Sequence, residues 1–95
     1  MGLFSMPEIT LIIKNKVGLH ARPASLFVRE AAKFKSNIIA INGDTQTNAK
    51  SILGVLTLGA NLGAKITVRA EGEDAEAALK ALFTLNESNY GEAKK

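Results

Sequence analysis

A dipeptide near the middle of the chain, Asn42-Gly43, restricts the possible folds more than any other feature of the sequence. Asn-Gly is the strongest short signal for a two-residue hairpin turn, because both residues of such a turn take positive φ angles. The isoleucine-rich run Asn37–Ile41 precedes the turn, and the short run Thr45–Asn48 follows it. These runs are predicted to be neighbouring antiparallel strands, so the sheet is expected to be antiparallel or mixed.

Two further strands are predicted by alternation between apolar and polar residues. The first lies near the start of the chain, where every second residue is apolar: Ile9, Leu11 and Ile13. The second is the run Lys65–Ala70, whose apolar positions are Ile66, Val68 and Ala70. Each strand therefore has one face suited to a core and one suited to solvent.

Three helices are predicted from apolar residues that recur at helical spacing. The first covers Pro23–Phe34, with the apolar stripe Ala24, Phe27, Val28, Ala31 and Phe34. The second covers Ser51–Leu58 and ends near Gly59. The third carries the apolar stripe Ala75, Ala78, Leu79, Leu82 and Phe83. The order β-α-β-β-α-β-α indicates an α+β domain in which helices cover one face of the sheet.

The chain of 95 residues is expected to form a single domain, because that length allows one compact core. Residues 1–6 are expected to be a flexible extension, and residues 91–95 a frayed end. The chain has no cysteine, which excludes disulfides and thiolate metal sites and is usual in a reducing cytoplasm. One histidine with scattered carboxylates predicts no metal site and no cofactor. No apolar run approaches the ~20 residues that cross a bilayer, so we expect a cytoplasmic protein without a membrane partner.

The only histidine, His20, lies in the run GLHARPA at residues 18–24. The helix predicted after it places His20 at or beside a helix N-terminus, where unpaired N–H groups and a partial positive charge form an anion site. Arg22 adds a planar cation that matches the geometry of phosphate. This pattern predicts a histidine that becomes phosphorylated. The alternative is a polar surface histidine, or an imperfect helix cap, beside a solvated arginine.

Two segments, GLHARPA at residues 18–24 and NAKSILGV at residues 48–55, resemble those of the histidine-containing phosphocarrier (HPr) family of the bacterial sugar phosphotransferase system. The resemblance extends from about Glu8 to about Tyr90. It implies an open-faced β-sandwich, in which a four-stranded antiparallel sheet carries three helices on one face. It also implies a stoichiometric phosphoryl carrier and not a turnover catalyst.

The resemblance implies a role for each residue of the first segment. His20 would accept the phosphoryl group on Nδ1 from enzyme I and pass it to the A component of a sugar-specific enzyme II. Arg22 would stabilise the phosphate. Gly18, Ala21 and Pro23 would form the active-site loop, with Gly18 allowing a tight turn and Pro23 stiffening the first helical turn.

Ser51 is predicted to be the N-cap of the second helix, and the resemblance gives it a regulatory role as well. In related proteins an ATP-dependent HPr kinase phosphorylates this serine, and the product recruits a catabolite control transcription regulator. The same regulation, which is part of carbon catabolite repression, is expected here. Ile52 and Leu53 match positions of an exposed docking patch. Ordinary core packing is the alternative for Ile52.

The net charge of +3 is concentrated in the first half of the chain, which suits an acidic partner or a phosphorylated ligand. A small basic nucleic-acid binder would also be basic, but it would need aromatic residues for stacking. The chain has only five aromatics and no nucleic-acid motif, so we expect no nucleic-acid partner. Two alternatives within the family stay open: a carrier in a nitrogen-related or dihydroxyacetone kinase phosphorelay, and a mainly regulatory paralogue.

Overall fold

The computed structural model describes residues 7–91, which form a sheet and a layer of helices. The strands are β1 (Glu8–Ile12), β2 (Asn37–Asn42), β3 (Thr45–Asn48) and β4 (Lys65–Glu71). The helices are α1 (Ala21–Ala32), α2 (Ile52–Leu56) and α3 (Ala75–Glu87), and a 3-10 turn (Asn89–Gly91) follows α3. The predicted α+β class and the order β-α-β-β-α-β-α are confirmed. The expected extension at residues 1–6, and all but Gly91 of the expected frayed end, lie outside the described residues.

The four strands form one antiparallel sheet in the order β1-β4-β2-β3. The predicted hairpin joins β2 to β3, but Asn42 is opposite Thr45 and belongs to β2, so the two loop residues are Gly43 and Asp44, one residue later than the Asn-Gly pair. β4 lies between β1 and β2, so Val68 is opposite Ile9 on one side and Ala40 on the other. One of the two central strands of this sheet, β4, therefore comes late in the chain, and the first strand lies at an edge.

The core lies between one face of the sheet and the helices. The buried strand residues share that face: Leu11, Ile38, Ala40, Ile66, Val68 and Ala70. They join one cluster with buried residues of α1 and α3, among them Ala24, Phe27, Ala31, Ala78 and Leu82. No described residue covers the opposite face of the sheet, which carries partly or fully exposed residues such as Thr10, Ile39 and Thr67. The open-faced arrangement implied by the resemblance is confirmed.

The first two helices differ from prediction at their ends. The Ala24 N–H donates to the carbonyl of His20 at 2.7 Å, so α1 begins two residues before the predicted start at Pro23. It ends at Ala32, and Phe34 packs against the core from the following turn. α2 is shorter than predicted, because Thr57 is its C-cap and the chain turns away before Gly59.

Phe83 was predicted to lie in the core, and this prediction is wrong, because its side chain is 44% exposed. It lies one turn beyond the buried Leu79, at the rim of the apolar stripe of α3. There α3 passes over the edge strand β1, and the ring borders a shallow groove with Pro7 and Ile9. Since the sheet has no strand beyond β1, nothing in the described chain covers the outer side of the ring.

The carboxylate of Asp74 connects the start of α3 to the segment between α1 and β2. Asp74 accepts hydrogen bonds from the Lys35 N–H at 2.8 Å, the Ser36 N–H at 2.9 Å and the Ser36 hydroxyl at 2.5 Å. These bonds stabilise the carboxylate, and they lower the pKa of Asp74 below its ordinary value of 3.8. These bonds hold the start of α3 against the segment that follows α1.

A second polar cluster fixes the end of the described chain. The Tyr90 hydroxyl donates to Asn86 Oδ1 at 3.1 Å, and Asn86 Nδ2 donates to the Ile12 carbonyl at 3.0 Å. Both side chains are buried, with Tyr90 2% and Asn86 1% exposed. Burial raises the pKa of Tyr90 well above its ordinary value of 10.0. This cluster connects the 3-10 turn and α3 to the end of β1.

Candidate functional site

The loop between β1 and α1, which leads to His20, is fixed by backbone hydrogen bonds to residues 60–64. The Ile13 N–H donates to the Ala64 carbonyl at 2.9 Å, and the Gly63 N–H donates to the Ile13 carbonyl at 2.8 Å. The Leu19 N–H donates to the Ala60 carbonyl at 2.8 Å. Gly18 has a φ of +75°, and a Cβ atom there would collide with the Ala60 carbonyl. The tight turn expected at Gly18 is therefore present, and only glycine fits it.

His20 is the N-cap residue of α1, which confirms its predicted position at a helix N-terminus. Its backbone is extended, with φ −91° and ψ −164°, and its side chain makes no capping hydrogen bond. The side chain is exposed. The imidazole therefore lies in solvent at the positive end of a 12-residue helix, instead of satisfying the N–H groups of that helix.

Arg22 and Pro23 occupy the second and third positions of α1. Arg22 and Ala21 are exposed beside His20, whereas Pro23 is buried. Proline is tolerated in the first turn, since an N–H group there has no intrahelical partner. The exposed start of α1 thus combines an imidazole, a guanidinium and the N–H groups of a first helical turn, and such a combination can accept and hold an anion.

Ser51 is the N-cap of α2, as predicted, and its hydroxyl accepts a hydrogen bond from the Gly54 N–H at 3.1 Å. The preceding residue, Lys50, donates from Nζ to the Phe34 carbonyl at 2.7 Å, which connects the start of α2 to the segment after α1. Since α1 and α2 also contact each other directly, the two predicted site segments belong to one layer.

Three apolar residues of α2 are exposed, and we call them the α2 patch: Ile52, Leu53 and Leu56, which are 40%, 74% and 41% exposed. Val55, which lies across the helix from Leu53, is fully buried. Core packing, the alternative for Ile52, is therefore wrong. Sequence reasoning missed Leu56, although its position four residues after Ile52 places both on one helix face.

The described residues supply two further facts about the site. Between residues 7 and 91, no three histidine or carboxylate side chains come together in a way that could hold a metal ion. In the same part of the chain, no helix is both long and apolar enough to cross a membrane.

Comparison with known proteins identifies the family. A family model described as the PTS HPr component phosphorylation site matches residues 7–88. The phosphocarrier protein HPr of Mycoplasma capricolum subsp. capricolum is 47% identical over 77 residues, which is 81% of this chain and 86% of that protein. The phosphocarrier protein HPr of Xylella fastidiosa strain 9a5c is 44% identical over 87 residues, or 92% of this chain and 98% of that protein.

A solved structure gives the same result for the fold. The crystal structure of HPr-C-His from Thermoanaerobacter tengcongensis matches with a TM-score of 0.90 at 50% identity, and the match covers 94% of this chain and 100% of that one. His20, Arg22 and Ser51 all lie inside the range matched by the family model. On these grounds, the chain belongs to the HPr phosphocarrier family.

Proposed function

We propose that the protein is the phosphocarrier of a phosphoenolpyruvate-dependent sugar phosphotransferase system in the cytoplasm. It accepts a phosphoryl group on His20 from enzyme I and passes it to the A component of a sugar-specific enzyme II. The observation that carries the proposal is the exposed imidazole of His20 at the N-terminus of α1, which makes no capping hydrogen bond. A ring nitrogen in that position can attack phosphorus without first breaking a bond to the helix.

The transfer exchanges one bond to phosphorus for another. Nδ1 of His20 attacks the phosphorus atom, and the N–P bond forms while the bond between phosphorus and the donor breaks. The electron pair of the broken bond returns to the donor. In the second transfer, the N–P bond of His20 breaks as the acceptor forms its own bond to phosphorus. The protein ends unchanged, as a carrier must.

The neighbours of His20 support this chemistry through geometry and charge. The Arg22 guanidinium lies two residues along the same exposed helix end, where it can donate to phosphate oxygens. The N–H groups in the first turn of α1 add a partial positive charge beside the guanidinium. Gly18, Ala21 and Pro23 hold the backbone around the ring, so little reorganisation is needed when negative charge arrives.

We also propose that Ser51 is phosphorylated as a regulatory site by an HPr kinase. Its hydroxyl is part of the first turn of α2 and is partly exposed. A phosphate there adds about −1.5 to −2 charge at a helix N-terminus that tolerates it, but beside a surface that must receive an acidic partner. Phosphorylation of Ser51 is therefore expected to weaken docking of enzyme I and to create a surface for a transcription regulator.

The α2 patch is the proposed contact surface for enzyme I and for the A component of enzyme II. Its three apolar side chains are exposed on α2, which contacts the helix that begins at His20. Exposed apolar groups near charged residues are typical of partner surfaces. Leu53 is the most exposed of the three, so its replacement by alanine is expected to change docking with little effect on the core.

The proposed function is tested by incubating the protein with phosphoenolpyruvate, Mg²⁺ and a bacterial enzyme I, followed by intact-mass measurement. We expect one added phosphate, lost on acid treatment because N–P bonds are acid-labile. His20→Ala should remain folded, since the side chain is exposed, and it should accept no phosphate. Circular dichroism of both proteins checks that the variant is folded.

Two outcomes would contradict the proposal. Retention of the acid-labile phosphate in His20→Ala would place the modification on another residue. A folded wild-type protein that accepts no phosphate from several enzymes I would indicate a different phosphorelay or a regulatory role. The acid-lability assay separates these outcomes from phosphorylation of Ser51, because a serine phosphoester survives the same acid treatment.

A further inference from the structure

We propose that Asn15 is a positioning residue that sets the geometry of His20 for phosphoryl transfer. Asn15 lies five residues before His20 in the loop between β1 and α1, and it is only 4% exposed. A buried amide side chain is unfavourable unless it forms hydrogen bonds, so its burial indicates a specific bonding role. This inference rests on the proposed function, because positioning matters only if His20 accepts phosphate.

Both oxygen atoms of Asn15 accept hydrogen bonds from the loop that follows. Its side-chain Oδ1 accepts from the Val17 N–H at 3.0 Å, and its carbonyl accepts from the Gly18 N–H at 2.9 Å. This is an Asx turn, in which a side-chain oxygen stands in for a backbone carbonyl. The Gly18 carbonyl in turn accepts from the His20 N–H at 2.9 Å, so two consecutive backbone bonds connect Asn15 to His20, and the side-chain bond to Val17 fixes the start of the same turn.

The neighbours of Asn15 in the loop cannot take over this role. Lys16 and Val17 are exposed, so they contribute little packing that could fix the turn. On its other side the loop is held by the bond between Leu19 and Ala60 and by the close approach of Gly18 to Ala60. Backbone bonds thus hold Ile13 at the start of the loop and Leu19 near its end, and Asn15 is the side chain that fixes the turn between them.

Loss of the Asn15 acceptor would leave the Val17 N–H without its partner and relax the turn before Gly18. The position of the His20 ring depends on that turn through the Gly18 carbonyl. Displacement of a reacting group by about 1 Å can cost about a hundredfold in rate. Docking of a partner protein would be less affected, because the α2 patch lies on a different segment of the chain.

The test compares single-turnover phosphoryl transfer from phosphorylated enzyme I to the wild-type protein and to three variants. Asn15→Leu keeps a similar volume but has no acceptor, whereas Asn15→Asp keeps an oxygen at the same position. Asn86→Leu is the matched control, because Asn86 is also a buried asparagine but bonds to Ile12, outside the loop that follows Asn15. The measured quantities are the maximal rate, the half-saturating concentration of the protein and the melting temperature.

We expect Asn15→Leu to lower the maximal rate about tenfold or more and to change the half-saturating concentration less than about threefold. Asn15→Asp should restore the maximal rate to within about threefold of wild type, because it can form the same Asx turn. Asn86→Leu should lower the melting temperature but leave the maximal rate unchanged. This pattern separates positioning from a general loss of stability.

A wild-type maximal rate in Asn15→Leu, or failure of Asn15→Asp to restore the rate, would overturn the inference. If the wild-type protein itself accepts no phosphate, the proposed function fails, and that result is visible without any variant. If Asn15→Leu does not fold, Asn15→Ala replaces it, since alanine also lacks a side-chain acceptor for the turn. A wild-type rate in Asn15→Ala would then overturn the inference.

Discussion

His20 is accessible because its backbone, and not its side chain, begins α1. Its carbonyl accepts the first helical hydrogen bond from Ala24, while the imidazole stays outside the capping pattern. Serine, threonine, aspartate and asparagine are the preferred N-cap residues because their side chains satisfy an N–H group of the first turn. Histidine at this position gives up that stabilisation, and the N–H groups stay directed at the space where an anion would bind.

Replacement of Arg22 tests its proposed contact with the phosphoryl group. Arg22→Ala is expected to slow the maximal rate of transfer to His20 about tenfold to a hundredfold, because a hydrogen bond to a charged group contributes about 1.5–3 kcal/mol. Arg22→Lys should lie between, since lysine keeps the charge but not the planar pair of donors. Single-turnover kinetics at saturating protein measures this rate.

Arg29 provides the control for Arg22, because it is an exposed arginine in the last turn of the same helix. Arg29→Ala removes the same charge far from the N-terminus of α1, so the maximal rate should not change. Equal losses in Arg22→Ala and Arg29→Ala would reduce the role of Arg22 to the net charge of the surface.

Substitutions at Ser51 separate its capping role from its proposed regulatory role. Ser51→Ala removes the acceptor of the Gly54 N–H and should lower the free energy of unfolding by about 1 kcal/mol, with no change in phosphoryl transfer. Ser51→Asp keeps an acceptor but adds a negative charge, so it should keep most of the stability and slow phosphorylation by enzyme I. Urea unfolding and transfer kinetics measure the two effects. A normal rate in Ser51→Asp would argue against electrostatic regulation.

The sequence was sufficient to predict Ser51 as a cap and to place His20 at or beside a helix N-terminus, because these features depend on residues within one turn. It was not sufficient for Asn15, whose burial depends on contact between its loop and residues 60–64. Nor did hydropathy predict Asn86 and Tyr90 as a buried pair, since each alone looks like a surface residue. Sites built by distant backbone contacts leave no periodic signal in the sequence.

At the scale of elements, the packing of α2 on β3 depends on Gly54. A Cβ atom at this position would collide with the Thr47 side chain and would also crowd the Ser51 hydroxyl. In an isolated helix, Gly→Ala is stabilising by about 1 kcal/mol, but overpacking of a close contact costs about 1–3 kcal/mol. The steric term is larger, so Gly54→Ala is expected to lower the free energy of unfolding.

The matched background for this substitution is Thr47→Ala, which removes the side chain that the new methyl group would meet. In that background Gly54→Ala should cost much less, or stabilise the protein through helix propensity. Urea unfolding of the four proteins gives the coupling energy. The same cost in both backgrounds would show that the constraint at Gly54 comes from the backbone and not from Thr47.

The predictions that depend on local patterns were confirmed. The prediction of burial was wrong where a helix extends past the edge of the sheet. The hairpin between β2 and β3 and all three helices follow from local turn and spacing signals. Phe83 satisfied the spacing for the core of α3, but the sheet ends at β1, and the ring stays exposed. Helical spacing shows which side of a helix is apolar, but not how far the neighbouring layer extends.

At the scale of the whole molecule, the strand order is the part of the fold that local patterns left open. Periodicity allowed an antiparallel or a mixed sheet, and only the family resemblance implied the antiparallel one. The pairing of β1 with β4 joins segments more than fifty residues apart, such as Ile9 and Val68. No residue of either strand encodes that choice alone; it follows from the connections and the shared core.

Two titratable groups set opposite pH limits on stability. The pKa of Asp74 is lowered in the folded protein, so its contribution is present above pH 3.8 and is lost as the pH falls through the lower, folded value. The pKa of Tyr90 is raised, so its contribution is present below pH 10.0 and is lost as the pH rises further. Stability is therefore expected to be greatest between these limits.

Urea unfolding below pH 3.8, at neutral pH and above pH 10.0 measures this dependence. Asp74→Asn should be less stable than wild type at neutral pH, and the difference should shrink in acid. Tyr90→Phe should lose less stability than wild type in alkali, because phenylalanine cannot ionise. Identical acid profiles for wild type and Asp74→Asn would contradict the role given to the hydrogen bonds that Asp74 accepts from Lys35 and Ser36.

The sheet face that no described residue covers offers an attachment point away from the proposed reactive groups. His20, Ser51 and the α2 patch all belong to the helical layer, whereas Thr67 lies at the centre of the bare face, between β1 and β2. The chain has no native cysteine, so a cysteine introduced at Thr67 would be its only thiol. A fluorophore or a solid support coupled there would be attached through the sheet face. The helical layer, which carries the proposed reactive groups, would then stay accessible to partner proteins.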